Sequence, residues 1–322
     1  TLMQRVHGEI SLRTLVHYLV AVCLFQCVMA LWIDNDMAVK AFVDSYIEQG
    51  QDFLNSTNVN RLYGIGANLD VAGSRFAAVL VMIAYLLMQK DNVSGGLRTY
   101  YAVSFLVISI IGNMIARTTS IGMGLAVIYL LFMSFRENGN KKTWKYIFWI
   151  AVVAVPILVT LYHSNAETRK LFRFAFEGFF SLAEKGTWEV SSNDRLMELM
   201  VVFPDNLKTW LIGDGYFSNP RNTDPYFTGK ITGGYYMGTD IGYLRFIFYF
   251  GVIGLMTFML YFAKVTQACC NYYEEHKHLF LMFLGINFIV WFKVATDIFL
   301  VFALFLMLDV ANRFYHNKTT NI

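Results

Sequence analysis

The chain has 322 residues, of which 56 % are hydrophobic and 17 % aromatic, while only 15 % are charged. Soluble domains average about 25 % charged residues, so the composition argues against a soluble globular protein. It is typical of a polytopic membrane protein, whose lipid-facing helices are apolar on every side. The net charge of +3 is too small to indicate a nucleic-acid partner.

Apolar stretches long enough to cross a bilayer, which takes about 20 residues per helix, recur along the chain. They lie at about 12–33, 70–89, 99–116, 119–135, 146–163 and 241–263. A further stretch runs from Leu279 to Asp309. As one helix it would exceed about 45 Å at 1.5 Å per residue, and it would bury Lys293 and Asp297. Two short helices with a turn around "KVATD" are therefore expected, which predicts an all-α fold with about eight transmembrane helices.

Basic residues gather in alternate links between these stretches. They include Arg5, Arg13, Lys90, Arg98, Arg136, Lys141, Lys142, Lys145, Lys264, Lys277, Arg313 and Lys318. The positive-inside rule places those links and both termini in the cytoplasm. The acidic segment 34–60 and the long loop at 164–240 then face the other side. The predicted organisation is five transmembrane helices in 1–163, an outer loop at 164–240, and three helices with a cytoplasmic tail in 241–322.

The outer loop is too long to be a simple connector. Residues 169–186 alternate apolar side chains with scattered charges and predict one interfacial helix that ends at Gly186. "SSNDRLMELMVVFP" predicts a second helix at 191–204, stopped by Pro204, and "PDNLKTWLIGDG" a further short turn from Asp205 to Gly213.

Aromatic side chains accompany the glycines at the end of this loop. They include Tyr216, Tyr235 and Tyr236. Aromatic faces next to polar groups suit sugar rings, so these tyrosines are candidates for substrate binding. An equally good interpretation is a belt of aromatics at the membrane interface.

Five arginines stand near the outer ends of the predicted helices, where a charge costs about 2.5–3.5 kcal/mol if it enters lipid. They are Arg61, Arg75, Arg117, Arg195 and Arg245. A guanidinium binds phosphate oxygens in a bidentate way, so the group predicts a site for a lipid-linked diphosphate. For a single arginine, snorkelling to the interface is the plain alternative.

Asp240 is the acid at the outer entry of the 241–263 stretch. Next to an arginine-rich site it is a candidate general base for an attacking hydroxyl. The alternative is an N-cap, which would stabilise the helix by about 1 kcal/mol. The two roles are compatible.

Several short motifs, in their order along the chain, resemble the bacterial O-antigen polymerases and O-antigen ligases. "NRLYGIGANLD" resembles the family's Arg-x-x-Gly stretch, and "IARTTSIGMGLAVIYLL" its Ser-Arg-Ser/Thr turn, with Ala116 where serine is common. "NDRLMELMVVFPDNLKTWLIGDGYF" is similar to the loop pattern Arg…Pro…Gly-x-Gly. "TDIGYLRFIFYFGVIGLM" resembles the segment after the loop, where ligases carry His-Asn and polymerases often carry Asp.

The resemblance covers about residues 60–310 and implies a GT-C-like glycosyltransferase of the bacterial inner membrane, with its active site facing the periplasm. The implied reaction moves an oligosaccharide from undecaprenyl diphosphate to a sugar hydroxyl of another lipid-linked repeat unit, without a metal or cofactor. Arg117 and Arg195 would hold the diphosphate and Asp240 would act on the acceptor, while Arg61, Arg75 and Arg245 would enlarge the positive site. Family members carry more N-terminal spans, so a chain that begins at Thr1 is expected to lack some of them.

Other functions compete with this interpretation. Asp240, where ligases have histidine, favours a polymerase over an O-antigen ligase. A flippase for lipid-linked sugars is the rival from another class, and a structural subunit of an export machine is a weaker one. "DND" at 34–36 matches the spacing of metal-binding Asp-x-Asp motifs, although an acidic helix end is the commoner explanation. Binding of a chain-length regulator stays open.

Overall fold

The computed structural model describes residues 2–8, 10–47, 61–89, 94–136, 141–219 and 234–308. Of these residues 80 % are helical, and no strand is present among them. The α-helices are Leu2–His7, Leu12–Asn35, Met37–Tyr46, Leu69–Met88, Gly95–Ile115, Thr119–Arg136, Lys141–Ser164, Ala166–Ala175, Glu177–Lys185, Ser191–Leu199, Leu207–Ile212, Gly242–Tyr272, Lys277–Val290 and Phe299–Leu308. The predicted all-α fold is confirmed.

Four of these helices are long and apolar enough to cross a membrane. They are Leu12–Asn35, Leu69–Met88, Gly95–Ile115 and Gly242–Tyr272. The first three lie within a few residues of the predicted boundaries. The fourth was predicted at 241–263 and runs nine residues further. The chain therefore has the helices of a membrane protein, as its composition predicts.

The other predicted spans are also helical, but their apolar parts are shorter. These parts are Thr119–Phe135, Val152–Ser164 and Phe299–Leu308. The predicted interruption of the 279–309 stretch is confirmed, because Lys277–Val290 ends before a non-helical segment at 291–298. Asp297 accepts a hydrogen bond from the backbone N–H of Phe299, the first residue of the next helix, at 2.8 Å.

The described chain divides into two compact units. The first consists of Thr1–Glu177 with Leu300–Ile322, and the second of Gly178–Phe299. Each unit has its own set of candidate site residues.

The helix Leu69–Met88 forms the core of the first unit. All its residues from Phe76 to Met88 are buried, as expected for a helix that is apolar all round and surrounded by others. It packs against Leu12–Asn35, Gly95–Ile115 and Thr119–Arg136. The closest approach is at Gly122, where a Cβ atom would lie 2.2 Å from the Cα of Ala77. Small residues thus bring the two backbones together.

Gly122→Ala is expected to destabilise the first unit by about 1–3 kcal/mol, because the added methyl group overlaps the Ala77 backbone and the two helices must separate. The matched control is Gly124→Ala, since a Cβ at Gly124 meets nothing within 4 Å. Thermal unfolding of the purified protein in detergent should show a lower midpoint for Gly122→Ala alone. Equal midpoints for both variants would contradict this close packing of the two helices.

The first part of the segment 164–240 contains one helix more than predicted. A single helix was predicted at 169–186, but the structure has two, Ala166–Ala175 and Glu177–Lys185, separated at Phe176 (φ −121°, ψ 32°). Gly186, with φ +74°, follows the second helix as predicted.

The remaining loop helices are shorter than predicted. The helix predicted at 191–204 ends at Leu199, before Pro204 is reached. The last helix, Leu207–Ile212, begins after Asn206, whose side chain accepts a hydrogen bond from the Thr209 N–H at 2.8 Å. It ends at Gly213, which has φ +73°, as predicted.

Candidate functional site

The first group of candidate residues surrounds the ring of Phe174, on the helix Ala166–Ala175. The guanidinium carbon of Arg117 lies 4.4 Å from the centre of this ring, and that of Arg61 lies 4.8 Å from it. Arg117 also forms an ion pair with Glu177. We call these four residues the Phe174 centre. All of them belong to the first compact unit.

The turn that carries Arg117 is held rigidly. Ala116 ends one helix through its N–H to the Gly112 carbonyl at 2.8 Å, and the Thr119 N–H bonds back to the Ala116 carbonyl at 3.0 Å. The hydroxyl of Thr118 donates to Asp70. Gly73 gives this turn room, because a Cβ there would lie 2.8 Å from the Cβ of Ala116. These contacts therefore fix the position of the Arg117 backbone, from which its side chain extends.

Arg61 is positioned by the segment that follows it. Gln26 donates its amide to the Ile65 carbonyl at 3.1 Å and accepts from the Ile65 N–H at 2.9 Å. Gly64 allows this contact, since a Cβ there would lie 2.3 Å from Oε1 of Gln26. The Tyr63 hydroxyl donates to the Asp44 carboxylate at 2.9 Å. The predicted Arg-x-x-Gly stretch is thus an ordered element of the first unit.

The guanidinium groups of Arg61 and Arg117 in the Phe174 centre lie close enough to repel each other. Burial lowers the pKa of Arg61 from its ordinary value, and the neighbouring charge of Arg117 lowers it further, while Asp70 acts in the opposite direction. Both guanidinium groups gain from contact with the ring face, at about 0.5–2 kcal/mol each. A dianion beside the two would relieve their mutual repulsion, and so the centre has the chemistry of an anion site.

The second group surrounds Arg245 in the second unit. Its guanidinium carbon lies 3.9 Å from the centre of the Phe217 ring and 4.3 Å from that of Tyr235. It donates to the Phe217 carbonyl at 3.0 Å and to Oδ1 of Asp240 at 3.4 Å. The side chain is only 7 % exposed. We call this set the Arg245 centre.

Asp240 does not cap the helix that it precedes, so that alternative is wrong. The helix Gly242–Tyr272 has Ile241 at its N-cap, and the Ile241 N–H bonds to Oγ1 of Thr239 at 3.3 Å. Asp240 instead turns to Arg245, one turn into the helix, because the buried cation needs a counter-charge. Its carboxylate is half-buried, with 20 % of the side chain exposed.

The candidate tyrosines are largely engaged with one another. The rings of Tyr216 and Tyr236 stack at 5.4 Å between their centres. The Tyr236 hydroxyl donates to Asp214 at 3.3 Å. Burial and the Asp214 carboxylate raise the pKa of Tyr236 to about 12. Tyr235 keeps 41 % of its surface exposed while one face covers Arg245, so it offers the more accessible ring to a ligand.

Two predicted arginines stand apart from these centres. Arg75 is exposed on the mostly buried helix Leu69–Met88, and Arg195 is exposed on Ser191–Leu199, a helix without buried residues. Arg117 belongs to the first unit, whereas Arg195 and Asp240 belong to the second. The convergence of these three residues on one cleft stays a prediction.

The "DND" motif has a structural explanation for one of its acids. Asp36 accepts hydrogen bonds from the N–H groups of Ala38 and Val39, at 2.9 and 3.3 Å, and so caps the helix Met37–Tyr46. In the part of the chain that the structure describes, no three His, Cys, Asp or Glu side chains are grouped so as to hold a metal ion.

Sequence reasoning missed several residues of both centres. Glu177 and Phe174 were predicted only as parts of an interfacial helix, and Phe217 and Asp214 had no role. The available signal was the lone acid inside the aromatic run "FAFEGFF". A single carboxylate among so many apolar residues needs a cationic partner, and Arg117 is that partner.

The fold and these two centres define an all-helical protein with several helices suited to a membrane and with buried or half-buried arginines at the ends of the helices. Comparison with protein-family models, curated proteins and solved structures found no match for this chain. The residues of the two centres are therefore the basis for inferring its function.

Proposed function

We propose that this chain is a membrane glycosyltransferase, a polymerase that transfers an oligosaccharide from polyprenyl diphosphate to a hydroxyl of a second lipid-linked repeat unit. The observation that carries the proposal is the Phe174 centre, where Arg61 and Arg117 contact one aromatic ring. Two planar guanidinium groups match the oxygens of a diphosphate.

The proposed reaction places each charge on a named group. An acceptor hydroxyl oxygen attacks the anomeric carbon of the donor, and a new glycosidic C–O bond forms as the bond to the diphosphate oxygen breaks. The polyprenyl diphosphate leaves with the electron pair, and the guanidinium groups of Arg117 and Arg61 stabilise its developing charge. The hydroxyl proton passes to the carboxylate of Asp240.

The proposal includes the topology that the charge distribution favours. The apolar stretches predict eight spans, and the positive-inside rule then places both termini in the cytoplasm and the loop at 164–240 outside. The resemblance to the O-antigen polymerases implies a bacterial inner membrane. In this topology the protein binds the lipid-linked diphosphate at the periplasmic surface of the membrane. The turn of Arg117 fits this topology. It connects the helices Gly95–Ile115 and Thr119–Arg136, and it lies beside the first residues of Leu69–Met88, since the Thr118 hydroxyl donates to Asp70.

The direct test is an assay with purified protein in nanodiscs and a polyprenyl-diphosphate-linked repeat unit as the only substrate. The expected product is a ladder of lengthening oligosaccharides, and it should form in the presence of a chelator. Asp240→Ala is expected to remove the ladder, and Asp240→Asn, which keeps an oxygen acceptor for Arg245, is expected to remove it while the protein retains its elution profile. A ladder that is undiminished in Asp240→Ala would show that another group takes the proton.

The same assay separates the alternative functions. Transfer to a lipid A–core acceptor, without a ladder, would identify a ligase. Transbilayer movement of the intact lipid-linked unit, without a new glycosidic bond, would identify a flippase. Activity that vanishes in the chelator and returns with Mn²⁺ would move attention to Asp34 and Asp36.

A further inference from the structure

Several polar groups of the segment 203–215 form hydrogen bonds or an ion pair with one another. The segment 203–215 contains Lys208 and Asp214, whose Nζ and Oδ1 atoms lie 2.9 Å apart. Asp214 also accepts from the Thr209 hydroxyl at 2.8 Å, and the indole N–H of Trp210 donates to the Pro204 carbonyl at 2.9 Å. These groups satisfy one another within the segment.

Four large apolar side chains of the same segment are exposed. Their exposed fractions range from 45 % to 72 %, for Leu211, Ile212, Phe203 and Leu207. Large apolar side chains exposed together in one short segment indicate an interaction site.

The segment is attached to the side of the membrane-suited helix Gly242–Tyr272, at a break in that helix. The backbone N–H groups of Asp214 and Gly215 donate to the carbonyls of Phe248 and Tyr249, at 2.6 and 3.0 Å. These carbonyls need new donors because Phe250 and Gly251 depart from helical φ and ψ. Inside a bilayer water cannot supply such donors, so the segment completes the backbone of the helix.

The attachment point lies well inside the helix. Tyr249 is seven residues from Gly242, or about 10 Å along the axis at 1.5 Å per residue. Beyond the break the same helix exposes Ile253, Met256 and Leu260, each at 52–60 %. If this helix crosses the membrane, these side chains face lipid. The exposed apolar side of 203–215 therefore adjoins a lipid-facing surface.

We propose that the segment 203–215 is embedded at the headgroup–acyl boundary of the bilayer, with Leu207, Leu211 and Ile212 inserted among the acyl chains. Its exposed polar residues, Asp205, Asn206 and Lys208, lie at the headgroups. The occupant of the apolar surface is thus phospholipid, and amphipathic elements bind such boundaries through buried apolar area. This inference rests on the helix Gly242–Tyr272 crossing a membrane and does not depend on glycosyl transfer.

The test uses a diazirine amino acid placed at position 207 or 212 of the full chain in phosphatidylethanolamine–phosphatidylglycerol nanodiscs. After irradiation, mass spectrometry of the peptide distinguishes a phospholipid adduct from a water-quenched product. The same label at Met256 is the lipid control, and at Glu274, in the polar turn Glu274–His276, the aqueous control. Lipid adducts at 207 and 212 as abundant as at 256 are expected.

Water-quenched product at both 207 and 212, as at 274, would overturn the inference. Adducts to another peptide of this chain, instead of lipid, would also overturn it, because they would show that protein covers the surface. The two positions are independent, so a labelled variant that fails to fold leaves the other as a valid test.

Discussion

Arg117→Ala is expected to lower polymer formation by about 10²–10³-fold, the usual loss when one preorganised group that stabilises a leaving charge is removed. Arg117→Lys should not restore activity, since a lysine lacks the planar fork that matches two diphosphate oxygens. The measurement is the rate of ladder formation in nanodiscs. The matched control is Lys170→Ala on the neighbouring helix Ala166–Ala175, where Lys170 and Glu167 form an exposed pair.

Glu177 separates this role from a purely structural one. If Arg117 served only to hold Glu177, Glu177→Gln would be as harmful as Arg117→Ala, because each removes the same ion pair. If Arg117 binds a diphosphate, the Glu177 carboxylate competes with that ligand for the Arg117 guanidinium. The Glu177→Gln variant should then bind the diphosphate more tightly. Binding of a short-chain prenyl diphosphate, measured by calorimetry, should therefore strengthen in Glu177→Gln and weaken in Arg117→Ala. Parallel losses in both variants would contradict the anion-site assignment.

The helices of this chain could be predicted from sequence because each depends on local information. A run of about 20 apolar residues leaves little alternative to a membrane-suited helix. The interruption at 291–298 was also predictable, since Lys293 and Asp297 would otherwise lie in the middle of an over-long helix. Gly186 and Gly213 end helices in the left-handed region, as their type and position indicate.

The two centres were less predictable because their contacts join distant residues. Arg117 and Glu177 are 60 residues apart, and nothing local to either residue identifies the other. Arg245 and Asp240 are near neighbours, and from sequence the carboxylate could either cap the helix or pair with the arginine. Arg245 is buried between the rings of Phe217 and Tyr235, and this burial favours the ion pair. Pairing choices of this kind depend on tertiary packing, which periodicity does not encode.

The break at Phe250 and Gly251 was missed for a different reason. "FIFYFGVIG" is an unbroken apolar run, and an isolated glycine in such a run is tolerated in a helix at about 1 kcal/mol. The reason for the break lies in a distant part of the chain, because the segment 203–215 donates hydrogen bonds to the carbonyls of Phe248 and Tyr249 there. The Gly-x-Gly pattern at Gly213 and Gly215 was associated with function by resemblance, and it has a structural role as well, since a Cβ at Gly213 would lie 2.5 Å from the Tyr249 carbonyl carbon.

Gly251→Ala is expected to be among the most destabilising single substitutions in the second unit. Gly251 has φ +68° and ψ −179°, a region that is essentially restricted to glycine, and an L-residue there costs about 1–3 kcal/mol. A Cβ would in addition lie 2.1 Å from the Leu211 carbonyl oxygen, so the segment 203–215 must move away. The N–H groups of Asp214 and Gly215 would then lose their acceptors on the helix.

The expected result for Gly251→Ala is a clearly lower unfolding midpoint in detergent and loss of the phospholipid adduct at position 207. Gly285→Ala is the control, because that glycine lies in the helix Lys277–Val290 and a Cβ added to it would meet nothing within 4 Å. There the added methyl should be neutral or slightly stabilising, since alanine favours helix more than glycine does. A Gly251→Ala protein as stable as Gly285→Ala, with its lipid adduct intact, would mean that the helix does not need the break and that the loop segment docks by other contacts.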